Sequence, residues 1–365
     1  MATHSRKKSP FLFGFVFRII LIVAGTAMVL SYISIYVDPS KCGVPLFFGL
    51  YFIPILFINI CLMIMAIINR SRSVWIPLIV ILPSLLFTEL FFKFGSNNNI
   101  NKEGIKLKIE SYNVGMFSSS RKKLNRGECR AAILECIRGN NADIVCCQEF
   151  YVDSIPQADS LLPEYKYKFY HFFKVKNGKH FGNIIFSKFP IISSGKLTFH
   201  KSTNLSIYID IDHYGRKIRI YNNHLESYNI SFASIVQRLS DKTNRNRREI
   251  SNDFIEVHEK MLGSFIKRSD QVNMILNTIY KSNYPAIICG DFNDTPMSYT
   301  YHKLSSGRKD SFKESGKGFG STFTILWPLL RIDYILFPEK FDSTRHIIGK
   351  EKFSDHYPII AEIVI

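Results

Sequence analysis

Three apolar runs in the first 95 residues constrain the fold of this chain more than any other feature. They cover residues 19–37, 46–68 and 74–92, and Glu89 is the only charged side chain within them. A helix needs about 20 apolar residues to cross a bilayer. The sequence therefore predicts a membrane region over residues 1–94 with three transmembrane helices. A cleaved signal peptide is disfavoured for the first run, because no small-residue cleavage site follows it and two further runs do.

Basic residues near these runs predict the orientation in the membrane. Arg6, Lys7, Lys8 and Arg18 precede or begin the first run, and Arg70 and Arg72 separate the second from the third. Positive residues favour the cytoplasmic side, which predicts a cytoplasmic N-terminus in the inner membrane. Three crossings then place the C-terminal domain outside the cytoplasm. Lysines after the third run and seven cysteines without a disulfide or zinc spacing argue in the opposite direction.

Overall charge indicates the kind of partner. The 365 residues carry a formal net charge of +17, which suits an anionic partner such as nucleic acid, an acidic lipid headgroup or a phosphorylated substrate. No protein partner is inferred. The predicted partners are the lipid bilayer and an anionic phosphodiester, of either lipid or nucleic acid.

A soluble domain is predicted over residues 105–365, after a polar tether at 95–104. Apolar strand-like stretches alternate with helical ones, which favours a mixed sheet sandwich over a purely parallel sheet. Residues 229–262 interrupt this pattern and are rich in charge. They are interpreted as a solvated helical insertion, with a flap over the substrate or membrane as the alternative.

Polar residues follow or end several of the apolar strands. Each is weak evidence alone, since a run such as Asp291–Asp294 also suits a turn with side-chain hydrogen bonds. Their conjunction in one order along the chain indicates a site for metal-assisted phosphoester hydrolysis. These residues are Asn113, Glu149, Asn222, His224, Asp291, Asn293, Asp333, Asp355 and His356.

Three motifs resemble those of the endonuclease/exonuclease/phosphatase superfamily, and the resemblance covers about residues 107–365. The superfamily fold is α/β (α+β), a four-layer sandwich of two packed, mostly antiparallel mixed sheets flanked by helices. Here the three predicted transmembrane helices would precede it. The motifs are Gly290-Asp291-Phe292-Asn293-Asp294, Ser354-Asp355-His356-Tyr357-Pro358-Ile359, and the run from Asn183 to Ile191.

The resemblance also implies roles for individual residues. Metal binding, by Mg²⁺ or alternatively Mn²⁺, falls to Glu149, Asn113 and Asp355. Asn222 and Asn293 are implied to bind substrate. The implied catalytic residues are His224, Asp291, Asn293, Asp333 and His356.

Subfamily features leave the substrate open. Gly290–Asn293 and Arg331–Tyr334 differ from the matching runs of inositol polyphosphate 5-phosphatases, and Asn222–His224 differs from abasic-site nucleases. The predicted anchor favours hydrolysis of a phosphodiester in a phospholipid or lipid-linked substrate. The alternatives are an extracytoplasmic nuclease acting on DNA or RNA, and a non-catalytic membrane-anchored scaffold.

Overall fold

The computed structural model describes residues 10–95, 103–118, 124–228 and 247–365. Most of the expected tether at 95–104, and residues 229–246 of the expected insertion, lie outside these ranges. The N-terminal helices are α1 (Pro10–Ile33), α2 (Val44–Leu50), α3 (Phe52–Ile68) and α4 (Trp75–Ile81), and α4 continues into a 3₁₀ segment at Leu82–Leu90.

Two continuous helical stretches are long and apolar enough to cross a membrane, rather than the three predicted. They are Gly14–Ile33 and Arg72–Leu90, with 20 and 19 residues. The predicted span at 46–68 is broken into α2 and α3, which are bent by 75° relative to each other. Pro54 explains the break, because a proline ring excludes the carbonyl four residues earlier from a helix and offers no N–H. A third span exists only if this bent pair is counted as one.

Contacts among these helices define their directions. Arg18 Nε donates to Ser73 Oγ at 3.1 Å, and Tyr32 Oη donates to the carbonyl of Val80 at 2.8 Å. The stretch Arg72–Leu90 therefore runs parallel to α1. Helix α3 runs in the opposite direction, since Asn59 Nδ2 donates to Ala24 O at 3.0 Å while the end of α3 packs near the start of α1.

The described residues of 103–365, the C-terminal region, form two six-stranded sheets. In addition, β11 (Gly318–Phe319) of this region forms a separate short pair with β1 (Phe92–Lys93), which precedes it. The first sheet has the order β13-β14-β2-β3-β5-β4 and the second β10-β12-β9-β8-β7-β6. Within each sheet one pair is parallel, β2 with β3 and β8 with β9, and the other pairs are antiparallel. The predicted sandwich of mixed, mostly antiparallel sheets is confirmed.

The strands and remaining helices have the following bounds. The strands of the first sheet are β2 (Lys106–Asn113), β3 (Ile144–Val152), β4 (Tyr167–Lys174), β5 (His180–Ser187), β13 (Asp342–Ile348) and β14 (Ile359–Val364). Those of the second are β6 (Ile191–Thr198), β7 (Leu205–His213), β8 (Arg216–His224), β9 (Ala286–Asp291), β10 (Arg308–Asp310) and β12 (Asp333–Pro338). The helices are α5 (Arg126–Asn140), α6 (Ile155–Ser160), α7 (Arg247–Tyr280), α8 (Tyr299–Ser305) and α9 (Ser311–Ser315).

Three apolar cores separate four layers. Between the sheets lies a core rich in isoleucine, with Ile109, Ile207 and Ile287 among its members. Helix α5 covers the outer face of the first sheet, with Ile133 and Ile137 buried against it. Helix α7 covers the second sheet, so the described part of the expected insertion at 229–262 is the first half of a long helix.

The N-terminal helices pack directly on the second sheet instead of being separated from it. Met28, Ile35, Phe52 and Leu90 belong to the same buried core as Tyr221 and other residues of the second sheet and α7. Ser34 Oγ donates to the carbonyl of Met297 at 2.8 Å, and Arg331 Nη1 donates to that of Leu90 at 3.2 Å. The ends of α1 and of the stretch Arg72–Leu90 thus meet the same face of the C-terminal region.

Candidate active site

The candidate site lies where the two parallel strand pairs end. In the first sheet, Asn113 at the end of β2 is in register with Gln148 of β3. In the second sheet, His224 at the end of β8 is in register with Asp291 at the end of β9. Because the sheets pack face to face, these ends bring polar side chains of both sheets together.

Glu149 reaches the site through an irregularity in β3. The pairing of β3 with β5 shifts register between Cys147 and Phe150, and Glu149 has a φ of 51°. Such a bulge turns a side chain away from the alternation of its strand. A positive φ on a residue other than glycine is a conformation that the surrounding structure must hold in place, and it often occurs at functional sites. Asn293 shares this feature, with a φ of 52°.

Asn113 joins the two sheets at the site. Its Nδ2 donates to Asp291 Oδ2 at 2.9 Å and lies 3.3 Å from Glu149 Oε1. Its Oδ1 accepts from the backbone N–H of Gly115 at 3.0 Å. The amide is therefore held at one end and fixes two carboxylates with the other.

Asp291 lies at the centre of the cluster and is almost fully buried. Its Oδ1 accepts from the backbone N–H of Asn293 at 2.8 Å, and the Asn293 Nδ2 lies 3.2 Å from its Oδ2. Burial raises the pKa of Asp291 to about 6, although His356 and His224 nearby oppose the shift. A carboxylate with this pKa is a stronger base near neutral pH than an exposed aspartate.

His356 is held between two carboxylates. Its Nδ1 lies 2.9 Å from Asp333 Oδ2, and its Nε2 lies 3.7 Å from Asp291 Oδ2. Burial by itself lowers the pKa of His356, but Asp333 and Asp291 outweigh burial and raise this pKa well above its ordinary value. His356 is thus a cation at neutral pH.

His224 has the opposite electrostatic character. Its Nε2 lies 3.5 Å from Glu149 Oε1 and 3.9 Å from Asp291 Oδ2. Burial lowers the pKa of His224 despite the carboxylate of Asp291. One site therefore contains a cationic imidazole and a neutral one, which is the separation of roles that acid–base chemistry requires.

Two groups of side chains fit a divalent metal ion. Ligand atoms of Asp291, Asp333 and His356 lie within 4.8 Å of one another, and Asp333 Oδ1 is buried without a hydrogen-bond partner among the described residues. The second group contains Glu149 and Asp355: burial raises the pKa of Glu149, and the Asp355 carboxylate raises it further. Two mutually repelling carboxylates offer the hard oxygen ligands that Mg²⁺ prefers.

The two groups differ in how their atoms are already used. In the first group, the His356 ring is hydrogen-bonded to Asp333. Asp291 accepts hydrogen bonds from Asn113 and Asn293. In the second, the Glu149 side chain is 27% exposed, and Asp355 Oδ1 accepts from Ser354 Oγ at 3.1 Å. The more open group is the one that a hydrated cation can approach.

Asn222 lies beneath the site, fully buried. Its Nδ2 donates to the carbonyls of Cys147 and Ile184, both at 2.9 Å, and its Oδ1 accepts from Gln148 Nε2 at 2.7 Å. Asn183 Nδ2 in turn lies 3.2 Å from the Asn222 carbonyl. The side-chain hydrogen bonds of Asn222 thus join the two sheets, whereas the other predicted residues meet around Asp291.

A buried ion pair that sequence reasoning missed supports the turn after Asp291. Arg268 Nε of α7 lies 3.2 Å from Asp294 Oδ2, and Arg268 Nη1 donates to the carbonyl of Glu226. Tyr228 Oη lies 3.4 Å from the other oxygen of Asp294. The pair ties the turn at Asn293 to the segment that follows His224. Asp294 belongs to a recognisable motif, but nothing in the helical pattern around Arg268 distinguishes it from a surface arginine.

Family models match both parts of the chain. Residues 111–356 match the model of the Endonuclease/Exonuclease/phosphatase family. Residues 14–90, which contain the N-terminal helices, match a model described as a domain of unknown function (DUF8431). All nine predicted site residues fall within the first match.

One curated relative and two solved structures illustrate the similarity. The 2',5'-phosphodiesterase 12 of Bos taurus is 27% identical over 184 residues, which are 47% of this chain and 29% of the relative. This chain thus spans less than a third of that relative's length. An endonuclease/exonuclease/phosphatase from Beutenbergia cavernae has a TM-score of 0.53 and 15% identity, covering 71% of this chain and 72% of its own.

A Bacteroides thetaiotaomicron protein of the same family description has a TM-score of 0.51 and 17% identity, covering 72% of this chain and 99% of its own. At these identities both structures establish the fold alone. They agree with the two packed six-stranded sheets found here.

Proposed function

Because the chain belongs to the Endonuclease/Exonuclease/phosphatase family and is a hydrolase of phosphoester bonds, we propose that it is a membrane-anchored, Mg²⁺-dependent phosphodiesterase of membrane lipids. The observation that carries this proposal is the position of the N-terminal helices beside the site. Ser34, just after α1, contacts Met297, four residues beyond Asn293. The predicted membrane region and the reactive turn are neighbours in space.

Each side chain of the site has a part in this reaction. Glu149 and Asp355 would hold Mg²⁺, with Mn²⁺ as an alternative, and the bound metal would supply positive charge beside the phosphoryl oxygens. Asn113, implied as a ligand by the resemblance, would instead orient Glu149 through its Nδ2. Asp291 orients the attacking water and accepts its proton. Asn293 fixes Asp291 through the 2.8 Å bond from its backbone.

The two histidines act on the charge of the phosphate. The cationic His356 stabilises negative charge on the phosphoryl oxygens, and Asp333 keeps its ring in position and protonated. The neutral His224 offers Nε2 near Glu149 and Asp291, where it can assist the leaving group. Asn222 supports His224 from beneath by holding β8 against the first sheet.

A three-crossing topology follows if α1 and Arg72–Leu90 both span the membrane. They run in the same direction, so the chain must return between them, and α3 runs in the opposite direction. Arg18, Arg70 and Arg72 lie at the end of the bundle away from the C-terminal region. Positive residues favour the cytoplasmic side, which supports a catalytic domain outside the cytoplasm.

A nucleic-acid phosphodiester is the second candidate substrate. It is favoured by the relative whose name is 2',5'-phosphodiesterase 12, and the net charge of +17 suits a polyanion. The contact between Ser34 and Met297 favours the lipid, since it places the turn after the reactive aspartate beside the predicted membrane region.

The test uses the purified full chain in detergent and in vesicles. We expect Mg²⁺-dependent hydrolysis of bis-p-nitrophenyl phosphate, with a loss of about a hundredfold or more in D291N and E149Q and none in the exposed-surface variant K166Q. A panel of phospholipid vesicles, oligonucleotides and plasmid DNA then compares kcat/KM. Preference for a nucleic acid would replace the lipid with the second candidate. No turnover with any divalent metal would overturn both and favour the scaffold.

A further inference from the structure

A cavity of about 340 Å³ lies where the stretch Arg72–Leu90 meets the C-terminal region. One wall is apolar and consists of Leu86, Phe87 and Leu90, with Ile35 from the segment after α1. The opposite wall is polar and comes from α8, β10 and α9. None of the lining residues belongs to the catalytic set described above.

Two of the charged groups in the polar wall are already neutralised within the protein. Asp310 is buried and paired with Arg331, with one oxygen 2.7 Å from Arg331 Nη2. Lys309 Nζ lies 2.7 Å from Asp342 Oδ1. Asp310 and Lys309 therefore need no ligand in the cavity to balance their charges.

Arg308 is different, because it is partly buried and has no carboxylate partner in the described part of the chain. Its Nη1 donates to the carbonyls of Leu304 and Ser306, both at 3.1 Å. Burial lowers the pKa of Arg308, although Tyr280 and Tyr221 nearby partly oppose the shift. Lys313 is exposed at the same wall, and Glu314 is the acidic side chain beside it. The wall therefore has a net positive charge and one cation that lacks an anion.

The apolar wall continues into an exposed face of the stretch Arg72–Leu90. Leu86 is 82% exposed and Leu82 63%, and both belong to a stretch apolar enough to cross a membrane. Ile35 and Leu90 follow or end the two candidate spans at the face that meets the C-terminal region. A ligand that satisfies both walls has an anionic end and an apolar end, as a phospholipid does.

We propose that this cavity binds the headgroup of an anionic phospholipid, separately from the catalytic site. The phosphate contacts Arg308 and Lys313, and an acyl chain lies along Leu86 and Phe87. Basic groups close to a membrane surface attract anionic lipid headgroups. The volume suits a glycerophosphate headgroup, and the chains would remain in the bilayer. The bound lipid would fix the C-terminal region against the membrane surface, whatever the substrate is.

Burial and the neighbouring Lys303 lower the pKa of His302, which lines the same wall. The imidazole is therefore neutral near pH 7 and contributes a hydrogen bond rather than a charge. Ser305 lies on the same helix and also faces the cavity. It offers a position at which the cavity can be filled without any change of charge.

The experiment measures lipid binding to the full chain by native mass spectrometry from detergent and in nanodiscs. Probes are phosphatidylglycerol, phosphatidylcholine and soluble sn-glycerol 3-phosphate. We expect R308Q/K313Q to weaken phosphatidylglycerol binding by about tenfold or more. S305W, which fills the cavity, should have a similar effect. K166Q/K217Q removes the same charge from exposed positions and should bind the lipid as the unaltered chain does.

Each remaining outcome counts against the proposal. Equal losses in R308Q/K313Q and K166Q/K217Q would show that overall charge, rather than the cavity, attracts the lipid. Binding of phosphatidylcholine as tight as that of phosphatidylglycerol would show that Arg308 does not select an anionic headgroup. Binding of sn-glycerol 3-phosphate as tight as that of the lipid would make the ligand a free phosphate ester. Hydrolysis of bis-p-nitrophenyl phosphate should be unchanged in every variant, which separates failure here from failure of the proposed function.

Discussion

His356 Nδ1 lies 2.9 Å from Asp333 Oδ2, although the two residues come from different segments of the chain 23 positions apart. Asp333 begins β12, which pairs with β9 so that Asp333 and Asp291 are in register. His356 forms an isolated bridge with Phe323 instead of belonging to a strand. The same end of the second sheet thus holds both carboxylates, Asp333 and Asp291, and the imidazole of His356 lies between them.

Replacing Asp333 with asparagine should lower kcat for bis-p-nitrophenyl phosphate by about a hundredfold or more. The amide keeps the size of the side chain but removes the negative charge that keeps His356 cationic. KM should change much less, because the cation acts mainly on charge that develops during the reaction. D159N, at an exposed position, is the matched control. Near-normal kcat in D333N would exclude this role for the pair.

Much of the site could be predicted because its residues stand at the ends of apolar strands. Apolar strand-like stretches precede His224 and Asp291 in the sequence, and the parallel pairing of β8 with β9 brings these two side chains together. The four edge strands, β4, β6, β10 and β13, were not predicted. Most residues of β6 are exposed, and its centre reads Ser193-Ser194-Gly195-Lys196, so no apolar alternation marks it.

Long-range contacts explain what could not be predicted. The break before α3 reflects Pro54, but the packing of α2 on the C-terminal region has no local signal. Gly49 shows how close that packing is, since a Cβ there would lie 2.3 Å from the Met297 carbonyl oxygen. The role of Asn222 depends on carbonyls of two strands of the other sheet, which no single stretch of sequence reveals.

Removing Asp294 should destabilise the protein strongly. In D294N the guanidinium of Arg268, which is fully buried, loses its counter-charge, and an uncompensated buried charge costs roughly 3–5 kcal/mol. The expected result is a lower midpoint of thermal unfolding in detergent. The double variant R268M/D294N should recover part of this loss because it removes the buried charge. A double variant as unstable as the sum of the single changes would contradict the coupling.

Asn222 either links the two sheets or, as the resemblance implies, binds substrate. One substitution distinguishes these two roles. N222L removes the side-chain donor to the carbonyls of Cys147 and Ile184 and one of the three acceptors of the Gln148 amide. Unpaired buried polar groups cost about 1–3 kcal/mol each, so the unfolding midpoint should fall while KM of the folded protein stays similar. N293G, which removes the side chain at the reactive turn and tolerates its positive φ, should show the reverse pattern. A raised KM in N222L at unchanged stability would instead support substrate binding.

Glu110 should make stability depend on pH. It lies in β2 beneath α5 and is fully buried, and Asn140 Nδ2 donates to its Oε1 at 3.0 Å. Burial raises the pKa of Glu110 from 4.5 to about 8. Between these values the folded state binds more protons than the unfolded state, so the free energy of unfolding decreases as pH rises. The contribution is complete below pH 4.5 and lost as pH rises through about 8.

The E110Q variant removes this titration and keeps an acceptor for Asn140. Over the full pH interval the change amounts to roughly 3–5 kcal/mol, so E110Q should gain stability relative to the unaltered protein between pH 6 and pH 9. The measurement is the difference between their thermal unfolding midpoints at several pH values. E339Q, at an exposed glutamate, should give a difference that does not vary with pH. A constant difference for E110Q as well would mean that Glu110 does not titrate in this range.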